Sequence, residues 1–210
     1  MATPQSASAR NRSGTLDILG DGVGVVRDNP LVVVPFLLLA LVTLASTTLS
    51  NFLRIAVQAV VLVSAYSTLG GQTDTSNSMP VRILIAFIAS LIAGIVIVIG
   101  FLLLVLPGIY ASLRLRLVIA AVILDDAGPL EALSRSIELT AGNTTTVFGV
   151  WAVLTVASLL LGGIVLVVVG VPSGDPQAFQ GVARLASAAA TLLVAPVGVS
   201  ANAVMFQEFS

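Results

Sequence analysis

The sequence predicts an all-α, polytopic membrane protein with about six transmembrane helices and short amphipathic helices at the membrane surface. Three observations carry that expectation. Hydrophobic residues make up 57% and charged residues 9% of the 210, and the mean hydropathy is +1.10, whereas about a quarter of the residues in a soluble domain are charged. The apolar residues are gathered into uncharged runs long enough to cross a hydrocarbon core about 30 Å thick. The charges are concentrated: Arg114, Arg116, Asp125, Asp126, Glu131, Arg135 and Glu138 all fall between residues 106 and 142.

Residues 1–13 are small and polar, carry Arg10 and Arg12, and are expected to form a disordered tail. Residues 14–210 are then a single integral-membrane helical domain. The first apolar run begins near Leu31, too late for a cleavable signal peptide, and reads as a retained span. Before it, Thr15–Asp28 has Leu16, Leu19, Val23 and Val26 on one helical face and Asp17, Asp21 and Asp28 on the other. That pattern predicts a helix lying along the membrane surface. Its GDGVG run follows no strand and carries no Lys, so it is not a phosphate loop.

Residues 31–49 make the first span, with Pro30 suited to its first turn. The second, residues 52–69, carries Arg54 and Gln58 four apart, a face expected to look into the bundle. After the polar loop 70–80, residues 83–106 form the third span. Ala86, Ser90 and Gly94 give it a small-residue stripe fit for a close helix contact. Pro107 and Gly108 are the predicted helix break. A short fourth span, 109–124, holds Arg114 and Arg116. Residues 129–141 should form a second surface helix, with Leu130, Leu133 and Ile137 buried and Glu131, Arg135 and Glu138 on the other side. Residues 147–169 form the fifth span, with Asn143 as cap and Trp151 near the interface. Residues 185–206 form the sixth, kinked at Pro196.

Arginine placement orients these crossings. An inner amino terminus puts Arg10, Arg12, Arg27, Arg82 and Arg135 on the cytoplasmic side and leaves Arg54 and Arg184 outside. Both termini of this multi-pass chain are therefore expected to be cytoplasmic, in the cell membrane. The absence of Lys, with the Ala/Val-rich and mildly acidic composition, suggests a GC-rich, haloarchaeal type of genome.

The run Leu106-Pro107-Gly108-Ile109-Tyr110, then Arg114, Asp125 and Gly128, then Glu131-Ala132-Leu133-Ser134-Arg135-Ser136 and Leu139-Thr140-Ala141-Gly142, resembles the membrane domain of glycerophosphoryl diester phosphodiesterases. It is also similar to uncharacterised integral-membrane families of bacteria and archaea. The resemblance covers about forty residues and implies a six-helix membrane domain. These 210 residues hold no His and are not expected to include the family's catalytic barrel, so phosphodiester hydrolysis is not expected to carry over.

Charge and composition exclude other functions. A net charge of −1 gives no basic surface for nucleic acid, and without Cys there are no disulfides or thiolate metal sites. No catalytic residue, metal site or cofactor is expected: Asp125 and Asp126 offer too few oxygens for a hard cation, and Ser134, Ser136 and Thr140 have no His or Lys to activate them. The candidate polar interior is Arg114, Arg116, Glu131, Arg135 and Glu138. An Arg within a span costs about 2.5 to 3.5 kcal/mol on insertion scales, so these arginines need a carboxylate, a helix-end carbonyl or an anion. Arg114 in particular should face inward, paired with Glu138 or with helix-end carbonyls. Gln58, Asn202, Thr191 and Ser187 either line a pathway or bond between helices. The expected function is non-enzymatic: scaffolding, lipid association or regulation, in contact with the bilayer and with an anionic lipid or another membrane protein. The alternative is a small transporter or channel.

Overall fold

The computed structural model describes residues 14–73, 76–170 and 176–210, so the expected tail 1–13 lies outside the described residues. The described residues form no strand. The helices are α1 (Thr15–Asp28), α2 (Val33–Ala45, after a 3-10 turn at Pro30–Val32), α3 (Thr47–Thr68), α4 (Met79–Leu103) and α5 (Val105–Arg114). They continue as α6 (Val118–Asp125), α7 (Pro129–Thr140), α8 (Thr144–Val169), α9 (Pro176–Leu193) and α10 (Ala195–Phe209).

The protein is an all-α helical membrane protein. Three stretches are long and apolar enough to cross a bilayer: Met79–Leu103, Val105–Asp125 and Thr144–Val169. Two bent pairs raise the number to five if each is one span: α1 with Pro30–Leu44, bent by 96°, and Gln177–Leu193 with α10, bent by 42°. The expected second span, residues 52–69, lies in α3, of which Leu53–Thr68 is an apolar helical stretch. The kink expected at Pro196 begins one to two residues earlier, at Val194 and Ala195, since Pro is accommodated in the first turn of α10.

Short helices occupy the centre and long ones the rim. Residues 118 and 120–124 of α6 are buried, as are Val199–Ala201 and Ala203–Phe206 of α10. Around them, α4 and α8 expose Leu, Ile and Val along most of their length, as lipid-facing helices do. The ends of α3 and α10 meet where Gln207 Nε2 donates to the Leu69 carbonyl at 3.2 Å and the Tyr66 and Phe206 rings pack edge to face, 6.2 Å apart.

A glycine sets the inward face of α1, and the inward faces of α4 and α7 differ from those expected. In α1 the buried residues are Ile18, Gly22 and Val25, while Leu16 and Val23 are exposed. Gly22 decides this: a Cβ there would sit 3.1 Å from the Ala201 backbone nitrogen, so its lack of a side chain lets α1 lie directly on α10. In α4 the packing stripe is Arg82, Ala86, Ala89, Ala93 and Gly100; Gly94 looks into open space. In α7 the buried stripe is Ala132, Ser136, Leu139 and Thr140, whereas Leu130 and Ile137, expected inside, are exposed. Close backbone approach, rather than side-chain hydrophobicity, selects the inward face.

The break expected at Pro107 and Gly108 lies one turn earlier. Leu104 is extended (φ −167, ψ 152), and Pro107 and Gly108 are already inside α5. Proline is still the cause, because its ring would clash with the carbonyl four residues back, that of Leu103, and the helix ends there. Gly100 and Gly108 then let α4 and α5 cross closely: a Cβ on Gly100 would lie 3.0 Å from the Gly108 Cα.

Candidate functional site

Between α5 and α6 the helix is interrupted at residues 115–117: Leu115 N still bonds Ala111 O at 3.0 Å, but Arg116 N and Val118 N reach only the carbonyls three residues back, Leu113 O and Leu115 O, at 3.4 Å. An interruption inside a membrane span must have its backbone groups satisfied by protein. One side chain does most of this. The Ser136 hydroxyl donates to the Arg114 carbonyl at 2.7 Å and accepts from the Leu117 amide at 3.1 Å, with Thr140 Oγ1 a further 3.4 Å donor to Arg114 O. Ala132 and Ser136 are completely buried, so α7 lies close enough for these bonds to form.

On the other side of the same interruption lies a cavity of about 650 Å³. Arg116 enters it from the break and Arg54 and Gln58 from α3. Ser112 of α5, Trp151, Thr155 and Ser158 of α8, Ser187 and Thr191 of α9 and Asn202 of α10 complete its polar lining. Leu39, Leu62, Ile97 and Ile119 are among its apolar walls. Among the described residues no Asp or Glu lines it, and neither Arg54 nor Arg116 forms an ion pair. Arg116 Nε and Asn202 Oδ1 are buried without a hydrogen-bond partner. A buried donor left unpaired in a cation-rich, carboxylate-free space is satisfied by an anion or by water. Ser112, Ser158 and Thr191 donate their hydroxyl protons to carbonyls of their own helices. Charge in the cavity therefore comes from the arginines.

The five residues expected to form one polar interior are not brought together. Only Arg116 reaches the cavity. Arg114 does not pair with Glu138: its Nε donates to the Tyr110 hydroxyl at 2.8 Å, its guanidinium lies 5.0 Å from the Tyr110 ring centroid, and Nη1 reaches the Ile137 carbonyl at 3.4 Å. That carbonyl belongs to the last turn of α7, the helix-end alternative to a carboxylate. Glu131 accepts from the Gly128 amide at the start of α7. Arg135 pairs with Asp125 at 3.2 Å and more loosely with Glu138 at 4.0 Å, all with substantially exposed side chains.

Other placements were less legible. Gln58, Asn202, Thr191 and Ser187 all line the cavity, and Trp151, expected at the interface, lines it as well. Asn143 occupies the cap position of α8 without a side-chain capping bond. Arg82, read as a membrane-surface residue, is buried and donates through Nη1 to the Ile123 carbonyl of α6; its four-residue spacing from Ala86 was the available signal. Asp126 takes a left-handed conformation (φ 57) at the end of α6. Its carboxylate accepts from the Ser76 hydroxyl at 2.7 Å and from the Ser76 amide, the Asn77 amide and the Asn77 side chain at 3.0 Å, tying the loop before α4 to α6. The Ser76 hydroxyl, the largest influence, holds its pKa below the usual carboxylate value; desolvation, next in size, opposes it, and the Asn77 side chain and the Asn77 and Ser76 amides add to the lowering.

Fold and cavity together define a helical membrane protein with a cationic cavity that, among the described residues, no carboxylate lines. By sequence the chain belongs to the family described as Domain of unknown function (DUF7847), which matches residues 48–209 and so takes in α5 to α7 and most of the cavity. Comparison with curated proteins and with solved structures gave no match.

Proposed function

We propose that the protein is a non-enzymatic, lipid-associated component of the cell membrane that holds the acidic headgroup of a lipid between Arg54 and Arg116. The observation that carries this reading is the charge of the cavity: two arginines, amide groups from Gln58 and Asn202, and no lining carboxylate. A binding role is favoured over catalysis because the chain has no His or Cys and three cavity hydroxyls are engaged with backbone carbonyls. The likeness of residues 106–142 to a phosphodiesterase membrane domain supports only a shared fold. Both termini are cytoplasmic in this reading, on the weight of the flanking arginines. The links from Asp126 to Ser76 and Asn77 and from Gln207 to Leu69 support that arrangement, since they gather the 70–80 loop, the end of α6 and the carboxyl-terminal helix at one end of the bundle.

Lipid extracted from detergent-purified protein tests the reading. Replacing both Arg54 and Arg116 by Gln should reduce co-purifying anionic lipid several-fold and leave neutral lipid unchanged. Equal anionic lipid on the double variant would remove it. A second reading, a small anion transporter, is favoured by one further observation: the interruptions at residues 115–117 and at Val194 both line the cavity. Broken helices meeting at a binding site are a transporter feature. Anion flux in proteoliposomes that disappears in Arg116→Gln would replace lipid association with transport.

A further inference from the structure

The bonds made by Ser136 lie on one side of the helix interruption and the cavity lies on the other, with Arg116 between them. We propose that Ser136 is a positioning residue for Arg116, through which the helix α7 sets the affinity of the cavity for an acidic headgroup; this rests on the anion-binding reading above.

The argument is geometric. Ser136 is completely buried, and its hydroxyl holds the Arg114 carbonyl and the Leu117 amide, which bracket Leu115 and Arg116. Those two backbone groups are the partners a continuous α-helix would use: Leu117 N would turn to Leu113 O, and Val118 N to Arg114 O. Instead, Arg116 N and Val118 N make long bonds three residues back. Ser136 occupies the groups that continuous helix would need, and so selects the interrupted form. A three-residue turn advances about 120° per residue and an α-helix about 100°, so straightening the interruption would rotate the chain by about 20° per residue. Over residues 114–117 that re-aims Arg116 relative to α6 and the cavity wall. Arg114 is held on the α7 side by Ile137 O and Tyr110, which keeps it from substituting for Arg116.

Trp151 is the single Trp of the chain and lines the cavity, so its fluorescence reports occupancy. The full chain in neutral detergent micelles would be titrated with phosphatidylglycerol, with phosphatidylcholine as the uncharged control, and with inorganic phosphate to separate a lipid headgroup from a free anion. Arg116→Gln should abolish the anion-dependent change. Ser136→Ala should weaken binding on the order of tenfold, the size of one misplaced charged contact, and should have no further effect in an Arg116→Gln background. Two controls separate positioning from loss of stability. Val147→Ala opens a space at a buried α8 residue away from the cavity lining, and Leu139→Ala opens one on the buried face of α7 without removing a bond made by Ser136. Both should keep the wild-type affinity within about twofold. Wild-type affinity in Ser136→Ala, or an equal loss in Val147→Ala, overturns the positioning role. Specifically, no response in wild type, or an unchanged response in Arg116→Gln, removes the anion site and this inference with it; loss in Arg116→Gln with none in Ser136→Ala removes this inference alone.

Discussion

The stretch Val105–Asp125 and the helix α8 (Thr144–Val169) are both long and apolar enough to span a bilayer, yet half of the apolar window of the first is buried in protein and none of the second. The first is interrupted and carries two arginines; the second is continuous and carries no charge. The difference follows from what surrounds each backbone. Lipid offers no hydrogen bonds, so a helix facing it must satisfy every amide and carbonyl within itself. A span covered by α7 on one side and by the cavity on the other is released from that requirement. Ser136 meets the freed carbonyl of Arg114 and the amide of Leu117, and the released chain delivers Arg116 to the bundle interior.

The largest expected effect comes from treating α8 as though it were the interrupted span. Val156 is exposed near the middle of α8, and Val156→Arg should cost about 2.5 to 3.5 kcal/mol of insertion free energy. Membrane-integrated protein, measured by alkaline extraction, should fall sharply; undiminished integration would mean that α8 faces water or protein there. Next in size is over-packing at α7. Ala132 is fully buried, and Ala132→Leu should destabilise by about 1 to 3 kcal/mol in thermal unfolding. Leu130→Ala, on the exposed face, should stay within about 0.5 kcal/mol. The reverse order would restore the face predicted from hydrophobicity.

Smaller effects test the polar ends of the interrupted span. Because the folded-state pKa of Asp126 is lowered, its contribution to stability is complete above the ordinary carboxylate value of about 3.9. It is lost as the pH falls through the depressed folded value. Asp126→Asn should therefore flatten the acid side of a stability profile recorded across pH 2 to about 6, and an unchanged acid limb would show that the loop anchor is not coupled to folding. Smallest of all is Glu138→Gln. Glu138 has only a 4.0 Å contact to Arg135 and does not meet Arg114, so its melting temperature should match the wild type within an effect of about 0.5 kcal/mol.

The sequence by itself determined the membrane class, the approximate position of most helices, the role of Pro107 in ending α4 and the short helix after Gly128, because hydropathy, length and proline geometry are local properties. It also marked Arg54, Gln58 and Asn202 as polar residues turned toward the bundle, and all three line the cavity, since lipid penalises them wherever they sit. Only the tertiary structure decided that Arg116 and not Arg114 reaches the cavity, that Arg82 reaches the Ile123 carbonyl, that α1 turns Gly22 inward, and that α7 turns Ser136 inward rather than Ile137. The reason is physical. In water an apolar face must be the buried face, but beside lipid an apolar face is content on either side. The inward face is chosen instead by how closely two backbones can approach and by which stranded backbone groups the meeting satisfies.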